Sequence, residues 1–515
     1  MKAAEDEAGP ASDLDARPTA NLEGRALTAR SWRLIAVSLT TVSIAVFAVW
    51  GWLAVVHLND RYRIDHVSGV HMALAWDANH GVLYPPLYDG HVYGGTRYMP
   101  VPILLDAVAA RVTGSYLVSG KALSYAYFIA LAAVLVVLLR KSRCPWPIAI
   151  GLVALIPATE AGLAASMNAR SDTLPVLLQI GAVGLIRYRD RASSTPVAAA
   201  IAALALVTKV TAVWGAIAIV LWLLLRSRRR SLWFLGLYAA FSLILIGIFA
   251  AASDGRLVSN VFGLSTAGTG DLGSLITSPY RFFHEVIPQG LTPWALVPFV
   301  VVAVWWGGRR DISIWSMCLG AYLVILMIML ADRGVGWNQL IDLVVLAALI
   351  AGEWIGRLSD EPYLRRIAIG LLAATVLWAS VSGLAFLLGP DIKRSLDPAF
   401  RSAIAAHPLS SAATRDSTLL SEDPYVPVSL DRRPVVLDPF MLIEIGRRQP
   451  AAVDDLVARI EERQFDIVVL RVRVDDPSKA WWFEQWAFGS DVATALRANY
   501  VYDRWAAGYH TYRPR

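Results

Sequence analysis

Residues 63–90 read RIDHVSGVHMALAWDANHGVLYPPLYDG, a run dense in Asp, His, Tyr and Trp that directly follows an apolar stretch near 33–57. Polar groups beside a membrane span are costly unless solvated or paired, so a cluster of them marks a site. The rest of the chain supplies the membrane. Of 515 residues, 56% are hydrophobic and 17% charged, the balance of a polytopic membrane protein rather than of several soluble domains. Cys144 and Cys318 both sit in or beside apolar runs and are far apart in sequence, so they outline neither a disulfide framework nor a Cys-based zinc site. The formal charge of +6 comes from short basic clusters between apolar runs, which topology explains without nucleic acid as a partner.

Further apolar runs lie near 117–139, 147–165, 173–187, 232–252, 292–308, 312–331, 340–357 and 366–388. The region 196–225 is long for one span, short for two, and carries Lys209 in its middle. Basic clusters RKSR (140–143), RYRDR (187–191), RSRRR (226–230), RR (309–310) and LRR (364–366) should face the cytoplasm. Both flanks of 196–225 then lie inside, and two short helices form a hairpin with Lys209 at its outer turn. One long tilted helix with a snorkelling lysine is the alternative. The expected architecture is a polytopic α-helical membrane protein of about eleven spans, N-terminus inside and C-terminus outside. Residues 1–30 read as a disordered cytoplasmic tail, 31–389 as the membrane module with its outer loop 58–116, and 390–515 as an extracytoplasmic α/β domain. In that domain, strand-like runs 433–438 and 465–472 bracket a helical stretch 452–463. The later WWFEQW (481–486) offers aromatic surface for a membrane, the first loop or a glycan, or for packing within the domain.

By this topology the long loops all fall outside, among them SMNARSD (166–172), 253–291 and DRGVGWNQ (332–339). Five of the eight histidines, His57, His66, His71, His80 and His91, lie in or beside the opening stretch. Val67, Val70, Leu74 and Ala78 have helical spacing, predicting an amphipathic surface helix over about 66–79. Asp65 stands at its start, either as an N-cap or as a working carboxylate. The histidine spacing matches no zinc motif. No cofactor is called for; a divalent cation held by acids distant in sequence stays open. Glu160, Arg170, Asp172, Lys209 and Asp342 sit where lipid penalises charge, and all but Glu160 fall at outer helix ends.

The order AWDANHGVLYPPLYDG, PVPILLDAVAARVTG, NARSDTLPVLLQIGAVGLIRYR, ALALVTKVTAVW and GWNQLIDL, over roughly 33–390, resembles the GT-C membrane glycosyltransferases. It is most similar to the group of protein O-mannosyltransferases and lipid A aminoarabinose transferases. The resemblance implies transfer of a sugar from a polyprenyl-phosphate carrier in the bilayer to an extracytoplasmic acceptor, with a carboxylate of the first outer loop acting on the acceptor hydroxyl. Asp65 matches that carboxylate; His66 follows where many relatives have a second acid, which puts a metal-bridging acidic pair in doubt. Lys209, Arg170 and Arg97 are the expected cations for the leaving phosphate. Tyr84, Tyr88 and Trp337, with Trp76, are expected to stack on sugar or line a lipid groove, and His66, Asp172 and Asn338 to contact substrate. A transporter or flippase of lipid-linked precursors is the competing reading, although no internal repeat is visible and the polar groups collect at one face. A catalytically dead scaffold of the same fold is the third.

Overall fold

The computed structural model describes residues 17–189, 191, 193–264, 272–286, 292–308, 312–332, 334–407, 409 and 417–515. The first helix, α1 (Arg17–Val56), already runs through the second half of the expected tail; residues 1–16 lie outside the described residues. Two loop helices follow, α2 (His66–Asn79) and α3 (Pro100–Thr113). Next come α4 (Tyr116–Lys141), α5 (Trp146–Ala154), α6 (Glu160–Met167), α7 (Thr173–Tyr188), α8 (Ser194–Leu206), α9 (Trp214–Leu224) and α10 (Arg228–Ala252). The series closes with α11 (Leu272–Arg281), α12 (Val297–Gly308), α13 (Ile314–Leu330), α14 (Ile341–Arg357) and α15 (Pro362–Phe386). Among the described residues, five helical segments are long and apolar enough to cross a membrane, and five more are apolar but shorter.

The bundle has two unlike ends. Short turns after α4, α7, α9 and α14 carry the basic clusters at one end. There the buried Glu353 takes hydrogen bonds from Arg187 at 3.1 Å, Arg357 at 3.3 Å and the Ser313 hydroxyl. At the other end lie the long connections. Lys121, wholly buried on α4, donates to the carbonyls of His57 and Asp60, 2.6 Å each, tying α4 to the chain leaving α1. A buried ammonium needs such acceptors to replace its hydration, and Asp60 Oδ1 adds a counter-charge at 3.7 Å.

The region 196–225 folds as the expected pair, α8 and α9, joined by a turn over 207–213 that holds Lys209. The third apolar run, by contrast, breaks at 155–159, where Pro157 interrupts it and the Thr159 hydroxyl caps α6 by accepting from Gly162 N at 3.1 Å. Glu160 therefore starts a helix at the long-loop end instead of sitting within a span. It pairs with Arg63, whose other nitrogen meets Asp391 at 3.0 Å.

After residue 417 a four-stranded sheet forms in the order β1-β2-β4-β3, from β1 (Leu419–Ser421), β2 (Ile467–Leu470), β3 (Tyr500–Ala506) and β4 (Tyr509–Pro514). Strands β1 and β2 run parallel; the others pair antiparallel. Ala507 and Gly508, both at positive φ, make the tight turn between β3 and β4. Helix Pro450–Glu461 precedes β2, near the expected 452–463. The expected strand 433–438 is a correction: it joins no sheet and instead pairs with the first loop. Tyr93 N donates to Val435 O at 2.8 Å, and Leu437 N to Tyr93 O at 2.9 Å. An extended apolar run next to another free backbone satisfies its polar groups there as well as in a sheet.

Helix α2 lies between this C-terminal unit and the bundle, packing on α3, α4 and the short helix Tyr425–Val428. Arg433 meets the buried Asp77 at 3.0 Å, and Trp76 Nε1 donates to Asp431 at 2.8 Å. Gly69 allows the approach: a methyl there would collide with Asp423 Oδ1 and lie 2.9 Å from Tyr425 N. Gly69→Ala should thus cost about 1–3 kcal/mol, as overpacking does. The expected result is a lower unfolding temperature in detergent; an unchanged melting curve would remove this contact from the fold's essentials.

Candidate active site

Asp65 caps α2 and also reaches the loop between α6 and α7. As N-cap of α2, its Oδ1 accepts from Ser68 N and Ser68 Oγ, each at 2.9 Å. Its Oδ2 is left over and lies 3.0 Å from Arg170 NH1. Arg170 and Asp172 come from the turn between α6 and α7, separated by Ser171 at φ 53°, a left-handed backbone that costs a non-glycine residue about 1 kcal/mol or more. This kink lets neighbouring side chains face one cavity from the same short loop.

Asp172 is the hub. Its Oδ2 accepts from Asn168 at 3.2 Å and Asn338 at 3.1 Å and lies 3.4 Å from Arg170 Nε; its Oδ1 lies 3.4 Å from Lys209 Nζ. Lys209, from the α8–α9 turn, also donates to Gln339 Oε1 at 2.7 Å. On the far wall Arg97 pairs with Asp332, donates to Gly334 O at 3.3 Å and lies over the Phe440 ring at 5.5 Å. Together these groups enclose a cavity of about 380 Å³, within the range of small-molecule sites. Trp486, the last residue of WWFEQW, lines it too. The rest of that motif serves the C-terminal unit: Phe483 is in its core and Trp482 bonds Glu422 at 2.9 Å.

Of the expected site residues, Asp65, His66, Arg97, Arg170, Asp172, Lys209 and Asn338 all line this cavity. Trp337 begins the short turn Trp337–Leu340, and its side chain lies outside the described residues. Two aromatics are corrections. Tyr84 is buried beneath the site, its hydroxyl donating to Tyr98 O at 2.8 Å, and Tyr88 stacks on Tyr93 at 5.2 Å against the C-terminal unit. Neither lines the cavity, because the Pro85–Pro86 loop turns them toward the neighbouring cores. Trp76 is likewise spent on Asp431 and His80. Asp342 accepts from Trp214 Nε1 at 2.8 Å and takes no part in the wall. Residues not singled out as site candidates include His71, Tyr98, Asp332 and Gln339. The last two stood inside the polar loop 332–339; nothing in the sequence distinguished His71 from its neighbours.

The electrostatics are set by pairing. Burial alone would raise the Asp65 carboxyl, but Arg170, His66 and the Ser68 hydrogen bonds outweigh it and hold the group at about 2. His71, buried on α2, is pushed down to about 4 and is neutral near pH 7. The residues do not fit a divalent metal: each cavity carboxylate already faces a cation, Asp65 with Arg170, Asp172 with Arg170 and Lys209, Asp332 with Arg97. Among the described residues no three His, Cys, Asp or Glu side chains gather as a metal site.

No protein-family model matches the sequence, and no curated protein matches it. Solved structures do match in fold. ArnT from Cupriavidus metallidurans, bound to undecaprenyl phosphate, superposes with TM-score 0.57 at 11% identity, over 94% of this chain and 98% of that one. Its apo state gives 0.59 at 12% identity over the same shares. The oligosaccharyltransferase AglB from Archaeoglobus fulgidus, in complex with an inhibitory peptide and a dolichol-phosphate, gives 0.54 at 12% identity over 94% of this chain and 74% of that one. The chain therefore shares its fold with ArnT and AglB, and its apolar helices make it a multi-pass membrane protein.

Because the Asp65 carboxyl is held below its ordinary value of roughly 3.9, its pairing stabilises the fold above that value and is lost as pH falls toward 2. Wild type should melt higher than Asp65→Asn near neutral pH, by a margin that shrinks as the pH drops below about 4. A margin independent of pH would show that Asp65 contributes through packing alone.

Proposed function

We propose that this chain is an inverting glycosyltransferase that moves a sugar from a polyprenyl-phosphate donor to an extracytoplasmic acceptor. One observation carries the reading: Asp65 Oδ2 and the guanidinium of Arg170 lie in direct contact, 3.0 Å apart, in the wall of a cavity at the end of a membrane bundle, with Lys209 one carboxylate away. The fold supports it, since ArnT was solved with undecaprenyl phosphate and AglB with a dolichol-phosphate. The reading includes eleven crossings, basic turns in the cytoplasm, and the cavity and C-terminal unit on the outer side of the cell membrane.

In this mechanism an acceptor hydroxyl attacks the anomeric carbon while Asp65 takes its proton. The bond from that carbon to the phosphate oxygen breaks, and its electron pair leaves with the lipid phosphate, where Arg170 and Lys209 stabilise the added charge. A single displacement of this kind inverts the anomeric centre. Arg170 has a double duty that explains how so acidic a carboxylate serves as a base. At rest it holds Asp65 ionised; once the donor phosphate draws the guanidinium away and adds its own negative charge, the carboxylate gains basicity. The polar groups gather at one end of the bundle, which suits catalysis at a surface better than passage through the midplane.

Asp65→Asn should lower transfer by about 10²- to 10⁴-fold, the usual weight of a general base, with the protein folded and polyprenyl phosphate still bound. Near-normal turnover would exclude Asp65 from the chemistry. Lys209→Ala is expected to raise the donor concentration needed for half-maximal rate by about tenfold, roughly the loss of one charged contact; an unchanged dependence would leave it a structural lysine. The product should have inverted configuration by NMR, and no glycosylated protein should be trapped.

A further inference from the structure

His71 and Tyr98 form a second feature of the cavity wall that the phosphate and proton chemistry leaves unused. His71 projects from α2 and Tyr98 from the segment leading to α3; their rings lie 4.5 Å apart, tilted by 44°. Both line the cavity, and His71 is only 5% exposed. Neither spends its polar atoms: His71 Nδ1 is buried without a partner, and the Tyr98 hydroxyl makes no hydrogen bond among the described residues. Ser171 Oγ is buried and unpartnered in the same wall. Buried polar atoms are normally satisfied, so unsatisfied ones concentrated at a cavity point to a ligand that satisfies them.

The carboxylates have no such spare capacity, although Arg170 Nε is also buried without a hydrogen bond. Asp172 and Asp332 each face a cation, and Asp65, once Arg170 turns to the phosphate, is committed to the acceptor hydroxyl, so no carboxylate is left for an ammonium group. What remains is a neutral imidazole, a phenol and a hydroxyl, each able to donate and accept, beside two aromatic rings. That is the chemistry of a sugar ring whose hydroxyls also donate and accept and whose C–H face is apolar. We propose that His71 and Tyr98 bind the sugar of the donor and select an uncharged, polyhydroxylated sugar over one carrying an amino group. The proposal rests on the glycosyltransferase reading for the presence of a sugar at all. Its position agrees, because Asp65 and Arg170 act on both residues electrostatically, placing the pair beside the groups assigned to the reaction. Tyr84 sets the support, its hydroxyl gripping the Tyr98 carbonyl from below.

The test uses the full chain in detergent and three probes: farnesyl phosphate alone, and farnesyl phosphate linked to a neutral pentose and to its amino-deoxy counterpart. Binding is read by calorimetry, and sugar transfer or release separately. The neutral donor should bind at least about tenfold more tightly than the amino one, the scale of one buried hydrogen bond to a neutral group. Tyr98→Phe, which removes one oxygen, and His71→Ala should each erase that advantage while farnesyl phosphate alone binds as before. His71→Asn, which keeps a donor and acceptor near Nδ1, should restore part of it. If His71→Ala fails to fold, Tyr98→Phe decides alone. Equal or tighter binding of the amino sugar, or an advantage untouched by both variants, overturns the proposal even if transfer is observed. Preferential binding of the neutral donor without any transfer or release would instead sink the transferase reading and leave the subsite standing.

Discussion

Charge placed in an apolar bundle must be paired, and the pairing of Asp65 and Asp172 with Arg170 and Lys209 organises everything else at the long-loop end. These four side chains come from three separate connections, and Asn338 and Gln339 add a fourth. Removing one partner from such a buried pair leaves an uncompensated charge, at a cost of about 3–5 kcal/mol. The loops therefore hold one another in register although none of them is regular. The left-handed Ser171 and the broken third run are the local distortions that this convergence demands.

The second constraint comes from above. Helix α2 carries Asp65 at its first turn and His71 on its buried side, and its position is fixed by Arg433, Asp431 and the segment 423–425. Segment 435–437 extends the grip by pairing with Tyr93. The C-terminal unit also contributes Trp486 to the cavity and Phe440 to the environment of Arg97. It is thus part of the cavity's construction and not an appendage beside it.

Much of this fold is legible in the sequence because lipid imposes simple rules. Apolar length located the helices, the basic clusters forced the 196–225 hairpin, and helical spacing placed α2 over its observed residues. Ionisable residues at helix ends pointed to Arg170, Asp172 and Lys209, which the structure brings around one cavity. Tertiary contacts decided what was not legible. Tyr84 and Tyr88 have the composition of a binding site but pack into neighbouring cores, and 433–438 has the pattern of a strand but finds its partner in a loop. His71 and Tyr98 became notable only once their neighbours showed that their hydrogen bonds were unspent. Glu160 looked intramembrane until the helix break at 155–159 lifted it to Arg63.

Glu353 at one end and Asp172 at the other act as twin rivets through the bundle. Alternating-access carriers rock one half against the other, which here would shear both ionic knots in the same stroke. The scaffold is therefore suited to staying still, so that in the proposed transfer it is the lipid donor and the acceptor, not the helices, that must move.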